Sequence, residues 1–460
     1  MGPEPIPEQL DLDALLPPFR ATDEAARRLF GLQRLGMRLG LSSIKALLGD
    51  MDHPERHFES VVVAGTNGKG SAAILFDALS RAAGRRTGLY TSPHILKIHE
   101  RALVDGVPIS SAELSALLSE YREAIVERGA TFFEAMTALT LCHFARKGVE
   151  LAVLETGLGG RLDATNAIEA CGVLLCSVGA DHQHILGNSL REIATEKLGL
   201  ARRGRPFYLG PLSSDLREYA LEFLATRGAE AIDMSGCPPY RGEMAQRGRH
   251  QAVLASVVRA CYEDLSARYS WPRGDARAAL AELRFPYRYE LVGKDPELIL
   301  DTAHNAPALK SLLDQWSREG KKEDRILVLG VMRDKRLRSA MAAARRSAAL
   351  VLCTEPTWYR SLPAAKLRRL LLEAPKGGDS PVLELGGVRE SLLFARSWAQ
   401  HRREAGGRPS VLLTGSNFTV AEALDRLGFD DIHAPNWPTL WDEGEPLRSR
   451  PRTQKQEASR

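Results

Sequence analysis

Short apolar runs rich in β-branched residues alternate with longer segments of helical periodicity along almost the whole chain. The runs that we predict as strands are SVVVAG, GLYTS, ELAVLET, GVLLCSV, RPFYLG, LILDTA, RILVLGV, ALVLCTE and SVLLTG. Helical periodicity is clearest in SAELSALLSEYREAIVERG and SLREIATEKLGLARRG. This alternation predicts an α/β fold in which helices cover both faces of a mostly parallel sheet. Ligands of such folds bind at the carboxyl ends of strands, so candidate site residues should directly follow the strands.

The chain has 460 residues, which is too long for one ordinary hydrophobic core. Pro286 and Pro296 interrupt the helical pattern, and a second series of strands and helices starts there. We therefore predict a first domain over residues 1–287 and a second over residues 288–430. Residues 431–460 are polar and rich in proline, which predicts a disordered tail.

Charge and composition exclude several classes of partner. The formal net charge is only +4 and no basic stripe stands out, so we expect neither a nucleic-acid nor a membrane partner but small anionic ligands. No apolar stretch approaches the ~20 residues of a membrane span. The six cysteines show no C-x-x-C spacing, and the amino-terminal residues do not resemble a signal peptide. These features predict a cytoplasmic protein.

The stretch VVVAGTNGKGSAAI, residues 61–74, joins a predicted strand to a predicted helix. It departs from the P-loop pattern G-x-x-x-x-G-K-[ST], because Val63 replaces the first glycine and Ser71 comes one place late. Lys69 nevertheless supplies a positive charge, and the helix that follows directs its free N–H groups at the loop. Three glycines permit close approach of the backbone to a ligand: Gly65, Gly68 and Gly70. The stretch predicts a phosphate site, the alternative being a turn without a ligand.

Polar residues follow two further strands. Glu155 ends one strand and enters a second glycine-rich loop, TGLGGRLDATN, where a carboxylate suits magnesium. Asp181, His182 and His184 follow the next strand, and such histidines are either ligands or ordinary loop residues. Lys197 lies on a predicted helix, where a solvated lysine is the default interpretation.

Taken together, the motifs resemble the folylpolyglutamate synthases and dihydrofolate synthases of the Mur ligase group, which are ATP-dependent amide-bond ligases. The resembling segments run in the order of that family from residue 64 to residue 424: AGTNGKGS, YTSPHILKIHER, TFFEAMTALTL, LETGLGGRLDATN, DHQHILGNSLREIATEKLG, DTAHNAPAL, GVMRDK and TGSNFTVAEAL. The resemblance implies an amino-terminal P-loop ATPase domain and a carboxyl-terminal Rossmann-like domain, with the active site in the cleft between them.

The resemblance also implies roles for individual residues. Lys69, Lys197 and His182 are the implied catalytic residues, and Lys197 matches a lysine that the family carbamylates with carbon dioxide. Two Mg²⁺ ions are implied, held by Ser92, Glu155, His182 and Lys197. ATP, as co-substrate, would be bound by Thr66, Asn67, Gly68, Lys69, Gly70, Ser71, Arg288, Asp301 and His304.

Two segments resemble the pteroate-contacting parts of the family. They comprise Thr131, Phe132, Phe133 and Glu134, and then Leu162, Asp163 and Ala164. Either phenylalanine could stack on a pterin ring or simply pack in the helix core.

The implied reaction is the ligation of L-glutamate to dihydropteroate, to folates, or to both, through an acyl phosphate. We expect a monomer that binds only these small molecules. The alternatives are a folylpolyglutamate synthase without dihydrofolate synthase activity and a nucleotide-binding relative that no longer ligates. A cell-wall ligase fits less well, because no sugar-nucleotide domain precedes the predicted phosphate loop.

Three departures from the family pattern concern adenine recognition. Leu254 stands where the family commonly has an asparagine that meets the adenine, and Tyr287 replaces the glycine before the nucleotide-contacting Arg288. The segment 211–248 is also shorter than usual, which predicts the loss of some β-structure.

Overall fold

A computed structural model describes residues 24–32, 40–429, 441 and 447. The chain divides into two compact units, and the main division lies between Arg284 and Phe285. The short segment Ile95–Lys97 is grouped with the second unit. Most of the predicted tail, 431–460, lies outside the described residues. Trp441 and Leu447 are described, and both are buried in the core of the second unit.

The first unit contains a sheet of eight strands in the order β4-β3-β2-β5-β1-β6-β7-β8. The pairs from β2 across to β8 are parallel, whereas β3 pairs antiparallel with β2 and with β4. The strands are β1 (Glu59–Ala64), β2 (Thr87–Tyr90), β3 (Ala102–Val104), β4 (Val107–Pro108), β5 (Leu151–Glu155), β6 (Gly172–Leu175), β7 (Pro206–Leu209) and β8 (Glu230–Asp233).

Helices follow most of these strands and cover the sheet. They are α1 (Glu24–Gly31), α2 (Ser42–Asp50), α3 (Lys69–Ala82), α4 (Ser111–Glu120), α5 (Arg122–Glu127), α6 (Phe132–Arg146), α7 (Gln183–Leu186), α8 (Leu190–Leu198), α9 (Ser214–Thr226), α10 (Arg249–Tyr269) and α11 (Ala276–Glu282). The strand β1 lies between β5 and β6, so the loops after these three strands share the carboxyl edge of the sheet.

The second unit contains a sheet of six strands in the order β13-β12-β11-β14-β10-β9, parallel except for the pair β10 and β9. The strands are β9 (Glu290–Lys294), β10 (Glu297–Leu300), β11 (Arg325–Leu329), β12 (Leu350–Cys353), β13 (Val382–Glu384) and β14 (Ser410–Thr414). The helices are α12 (Ala306–Ser317), α13 (Arg338–Ser347), α14 (Ala364–Leu372), α15 (Val388–Glu404) and α16 (Asn417–Arg426).

The central strand β11 shows why its sequence is apolar throughout. Leu327 and Leu329 belong to one hydrophobic cluster, whereas Ile326 and Val328 belong to another. Successive side chains of a strand point to opposite faces of its sheet, so both faces here are covered. A strand buried on both faces has a continuous apolar run instead of an alternating one, which is the pattern that predicted it.

The predicted fold class is confirmed, and each of the nine predicted runs contains a strand of the structure. The sequence analysis did not predict β3, β4, β8, β9 and β13. These strands lie at or next to sheet edges, where no long apolar run is needed. The predicted helix 111–129 is divided at Tyr121, and the helix 189–204 ends at Leu198. The shortened segment 211–248 contains α9 and the edge strand β8.

No helix in the described part of the chain combines the length and the apolar character needed to cross a membrane.

Candidate active site

The glycine loop, residues 65–70, runs from the end of β1 into the first turn of α3, at the carboxyl edge of the first sheet. Gly68 is the residue before α3, and its φ angle is 83°. Residues other than glycine rarely adopt this backbone conformation. Lys69 is the first residue of α3. Its side chain therefore starts from the first turn of the helix, where the backbone N–H groups have no partner within the helix. The predicted strand, loop and helix are therefore all present, which is the local geometry that suits a phosphate.

The glycine loop is fixed by the segment that follows β6. The Thr66 N–H donates to the Ser177 carbonyl at 2.9 Å, and the Thr66 hydroxyl donates to the Gly179 carbonyl at 3.1 Å. The Ser177 hydroxyl accepts from the Asn67 N–H at 2.9 Å and donates to the Asn67 carbonyl at 2.8 Å. These bonds join two loops far apart in sequence, so they fix the shape of the glycine loop.

Lys197 is not a solvated surface lysine. Its side chain is 2% exposed, and its Nζ donates to the Gly65 carbonyl of the glycine loop at 3.0 Å. Burial, with a smaller effect of the Lys69 charge, lowers the pKa of the Lys197 amine to about 7. In a large fraction of the molecules the Lys197 amine is therefore neutral at physiological pH, whereas the amine of an ordinary lysine is protonated.

The charges of three predicted site residues act on one buried thiol, that of Cys176 just after β6. Burial raises the pKa of this thiol to about 12, with smaller effects from Lys69, Glu155 and Lys197. The strand register places Glu155 opposite Val63 of β1, and Lys197 bonds the Gly65 carbonyl just after that strand. Together with Lys69 at the start of α3, these residues lie near the glycine loop, although they come from separate stretches of the chain. Asp181 also acts on Lys197, which brings the segment after β6 into the same cluster.

The residues proposed to hold magnesium are only partly assembled. Glu155 is 3% exposed, and its Oε2 accepts the Ser92 N–H at 3.0 Å. The backbone N–H of His182 donates to Asp181 Oδ1 at 2.9 Å, and the His182 ring is partly exposed. Within the described residues, no three histidine, cysteine, aspartate or glutamate side chains could hold a metal ion by themselves. This donor set fits magnesium that is bound by one or two side chains together with phosphate oxygens and water.

The residues predicted to contact the acceptor divide by environment. Thr131 and Glu134 form a capping box at the start of α6, so their polar groups already bond each other. Phe132 is buried, whereas Phe133 is half-buried. A Cβ on Gly157 would lie 2.5 Å from the Phe133 ring, so a glycine at that position makes room for this ring.

The loop over residues 162–164 is held by its aspartate. Asp163 is buried and accepts from the Leu158 N–H at 2.8 Å and from the Thr165 hydroxyl at 2.7 Å. Burial raises the pKa of its carboxyl group. Leu162 is half-buried and Ala164 is buried. Asp163 thus has a structural task whether or not this loop touches a substrate.

In the second unit, the three predicted nucleotide-binding residues gather at the end of β10. Arg288 Nη1 donates to the Thr302 hydroxyl at 2.9 Å, and His304 Nδ1 lies 2.9 Å from the Thr302 carbonyl oxygen. Asp301 accepts the N–H groups of Ala303 and Tyr289. Burial raises the Asp301 pKa to about 6, while the Arg288 charge acts in the opposite direction.

Two of the departures from the family pattern have a visible setting. Leu254 is on α10 and lies beside the glycine loop. A Cβ atom added to Gly68 would be 3.6 Å from the Leu254 Cδ2. Tyr287 has φ 55°, a region that favours glycine, and its side chain is fully buried. The backbone at this position thus keeps a glycine-like conformation, and burial of the aromatic ring offsets the strain.

Sequence reasoning missed two residues of this region. Ser177 fixes the glycine loop, and a hydroxyl two positions after a buried strand was the available signal. Arg101 is buried beside Phe132, and an arginine within the motif HER just before an apolar strand was its signal.

Comparison with known proteins agrees with this architecture. The family model described as "Mur ligase, glutamate ligase domain" matches residues 287–416. A probable bifunctional folylpolyglutamate synthase/dihydropteroate synthase of Haloferax volcanii is 33% identical over 87% of this chain and 50% of that protein. A folylpolyglutamate synthase of Lacticaseibacillus casei is 30% identical over 70% of this chain and 82% of that protein. The chain thus spans about half the length of the archaeal relatives that it matches.

Two solved structures share the fold over nearly their whole length. The folylpolyglutamate synthase of Mycobacterium tuberculosis, solved with ADP and AMPPCP, has a TM-score of 0.80 and 28% identity, covering 88% of this chain and 100% of that one. The bifunctional folylpolyglutamate synthase/dihydrofolate synthase of Yersinia pestis, solved with AMPPNP and a Mn ion, has a TM-score of 0.74 and 26% identity, covering 89% and 99%.

Two α/β units, a glycine loop with an adjoining lysine, and a matching carboxyl-terminal domain define a protein of the Mur ligase class. Within that class, the chain belongs to the folylpolyglutamate synthase/dihydrofolate synthase family.

Proposed function

We propose that the protein ligates L-glutamate to dihydropteroate, to folates, or to both, and uses ATP to do so. The observation that carries this proposal is the convergence of Lys69, Lys197 and Glu155 beside the glycine loop. The names of the relatives support the substrates, and the nucleotides and manganese bound to the solved neighbours support ATP and a divalent metal.

The reaction follows from the chemistry of carboxylates. A carboxylate does not condense with an amine at neutral pH, because its oxygen is a poor leaving group. In the proposed first step, a carboxylate oxygen of the acceptor attacks the γ-phosphorus of ATP, and the bond to the bridging oxygen breaks to release ADP. In the second step, the glutamate amine attacks the acyl phosphate carbon and loses a proton, and phosphate leaves with the bonding electrons.

The residues of the first unit have distinct tasks in this proposal. The N–H groups of the glycine loop position the phosphates, and the Lys69 ammonium stabilises the negative charge of the moving phosphoryl group. Magnesium, when bound near Ser92, Glu155 and His182, would neutralise further phosphate charge. Two further parts of the proposal are predictions. One is that the nucleotide contacts Arg288, Asp301 and His304, and the other is that two magnesium ions bind.

Lys197 suits carbamylation, which is the second part of the proposal. The Lys197 ammonium first loses one proton. The neutral amine nitrogen then attacks the carbon of carbon dioxide and releases a second proton, so that over both steps a cation becomes an anion. Only the neutral amine reacts, and burial lowers the Lys197 pKa to about 7. The resulting carbamate would provide oxygen atoms for a second magnesium ion, a ligand type that an amine cannot offer.

The pH dependence of this modification follows from the direction of the pKa shift. Below pH 7 the Lys197 amine is mostly protonated, and the neutral fraction rises from about a tenth at pH 6 to about nine tenths at pH 8. We expect carbamate formation, detected by ¹³C NMR with labelled bicarbonate, to increase with pH through this interval. Removal of bicarbonate should slow ligation reversibly. A bare amine in a fully active enzyme at pH 8 would contradict this part of the proposal.

A single assay tests the activity. The protein is incubated with ATP, magnesium, glutamate and either dihydropteroate or tetrahydrofolate, and the products are analysed by mass. We expect ADP release that requires both glutamate and the acceptor. A ligated product from tetrahydrofolate but not from dihydropteroate would identify a folylpolyglutamate synthase without dihydrofolate synthase activity. Nucleotide binding without a ligated product from either acceptor would identify a relative that no longer ligates.

A further inference from the structure

Arg101 is a buried cation of the first unit. Its side chain is 6% exposed, and burial lowers the pKa of its guanidinium from the usual value for arginine. Among the described residues, no carboxylate forms an ion pair with it, and Glu155 and Glu100 act on it only through longer-range charge interactions. A buried charge of this kind is costly unless an anion compensates it.

The groups that contact the Arg101 guanidinium are neutral. Its Nε donates at 2.8 Å to His94 Nδ1, so that this ring nitrogen accepts a hydrogen bond and carries no proton. The second neighbour is the Tyr90 hydroxyl, which also lies 3.0 Å from the Thr137 hydroxyl, and a phenol of this kind is not a carboxylate. The third neighbour is the Phe132 ring, whose centroid lies 5.1 Å from the Arg101 Cζ. None of these groups supplies the missing negative charge.

The backbone places Arg101 between the predicted acceptor segment and the acid of the site. The Arg101 carbonyl accepts the Thr91 N–H at 3.1 Å, and the next residue, Ser92, donates its N–H to Glu155. On the other side, the guanidinium lies against Phe132 at the start of α6. An anion that binds Arg101 would therefore lie close both to the acceptor segment and to Glu155.

We propose that Arg101 binds the carboxylate of the acceptor substrate and holds it for phosphorylation. This inference rests on the proposed function, which supplies an acceptor that has an aromatic ring and a carboxylate. The carboxylate is either the benzoate of dihydropteroate or a glutamyl carboxylate of a folate, and both have the planar shape that a guanidinium binds through two hydrogen bonds.

Binding without catalysis tests this role. Each acceptor, dihydropteroate and tetrahydrofolate, is compared in the absence of ATP with an analogue in which the carboxylate is a carboxamide. We expect the wild-type protein to prefer the carboxylate by about 10- to 100-fold, and Arg101→Gln to lose that preference. Loss with only one acceptor identifies which carboxylate Arg101 binds. An unchanged preference with both acceptors in Arg101→Gln would overturn the inference.

Arg85 offers a matched control. It is also buried and lies over an aromatic ring, that of Trp271 at 4.7 Å, but it forms an ion pair with Glu59 at 2.7 Å. Arg85→Gln should keep the preference for the carboxylate. If Arg101→Gln does not fold, Arg101→Lys should keep a reduced preference, and guanidinium ion should restore carboxylate binding to Arg101→Ala. The inference would also be overturned if Arg101→Lys shows no preference for the carboxylate and guanidinium ion does not restore carboxylate binding to Arg101→Ala.

The two proposals fail in different ways. If wild-type protein neither binds the acceptors nor ligates them, the proposed function is wrong. If wild-type protein binds and ligates them but Arg101→Gln keeps the full preference for the carboxylate, only the role of Arg101 is wrong.

Discussion

Lys69→Ala should abolish measurable ligation, with a decrease in kcat of about 100- to 1000-fold or more. Lys69 is the first residue of α3, and its charge acts to lower the pKa values of Cys176 and Lys197. Removing this charge takes away the cation that the proposed function assigns to the moving phosphoryl group. Alanine is a good helix former, so α3 should persist. Release of ADP that depends on both glutamate and the acceptor is the measurement.

The control for Lys69→Ala is Lys45→Ala, which removes an exposed lysine from α2. It should leave the ligation rate unchanged. Because the Lys69 charge lowers the Lys197 pKa, Lys69→Ala should also raise it, so that carbamate forms at a higher pH. Ligation left intact in Lys69→Ala at saturating magnesium would contradict the assignment of the glycine loop as the phosphate site.

Glu155→Gln should have the second large effect. The glutamine oxygen can still accept the Ser92 N–H, so the local hydrogen bond survives while the negative charge is lost. We expect weaker magnesium binding and a decrease in ligation rate of about 100-fold, partly restored by higher magnesium concentrations. His182→Ala should likewise lower ligation severely. The measurements are the magnesium dependence of the rate and the thermal unfolding of each variant.

Asp77→Asn is the matched control, because Asp77 is another buried acid of the first unit. It binds the Thr87 hydroxyl at 2.5 Å and Arg81 at 2.8 Å, and both partners are structural. This change should lower the thermal stability without altering the magnesium concentration needed for half-maximal rate. An unaltered magnesium dependence in Glu155→Gln would remove this glutamate from the proposed metal site.

The parts of the site that sequence reasoning predicted are local. The strand β1, the glycine loop and the start of α3 lie within one short stretch, so spacing alone indicated their geometry. The fold class followed from apolar runs that are continuous because both faces of each sheet are buried. The edge strands β8 and β13 were missed, since strands at an edge do not need such runs.

Other parts could not be derived from spacing. Lys197 is 132 positions from Gly65 and looked like a surface lysine of a helix, and only the family resemblance indicated a role for it. The unpaired charge of Arg101 was likewise not visible, since it depends on which side chains surround the guanidinium.

The sequence by itself thus determined the alternation of the central strands with helices, the glycine loop and the family. The tertiary structure alone decided that Lys197 is buried with a pKa near 7, that Lys69, Glu155 and Lys197 converge, and that Arg101 is left without a carboxylate. The physical reason is that backbone preferences and hydrophobic periodicity act between neighbours along the chain, whereas desolvation and charge interactions depend on distances in space.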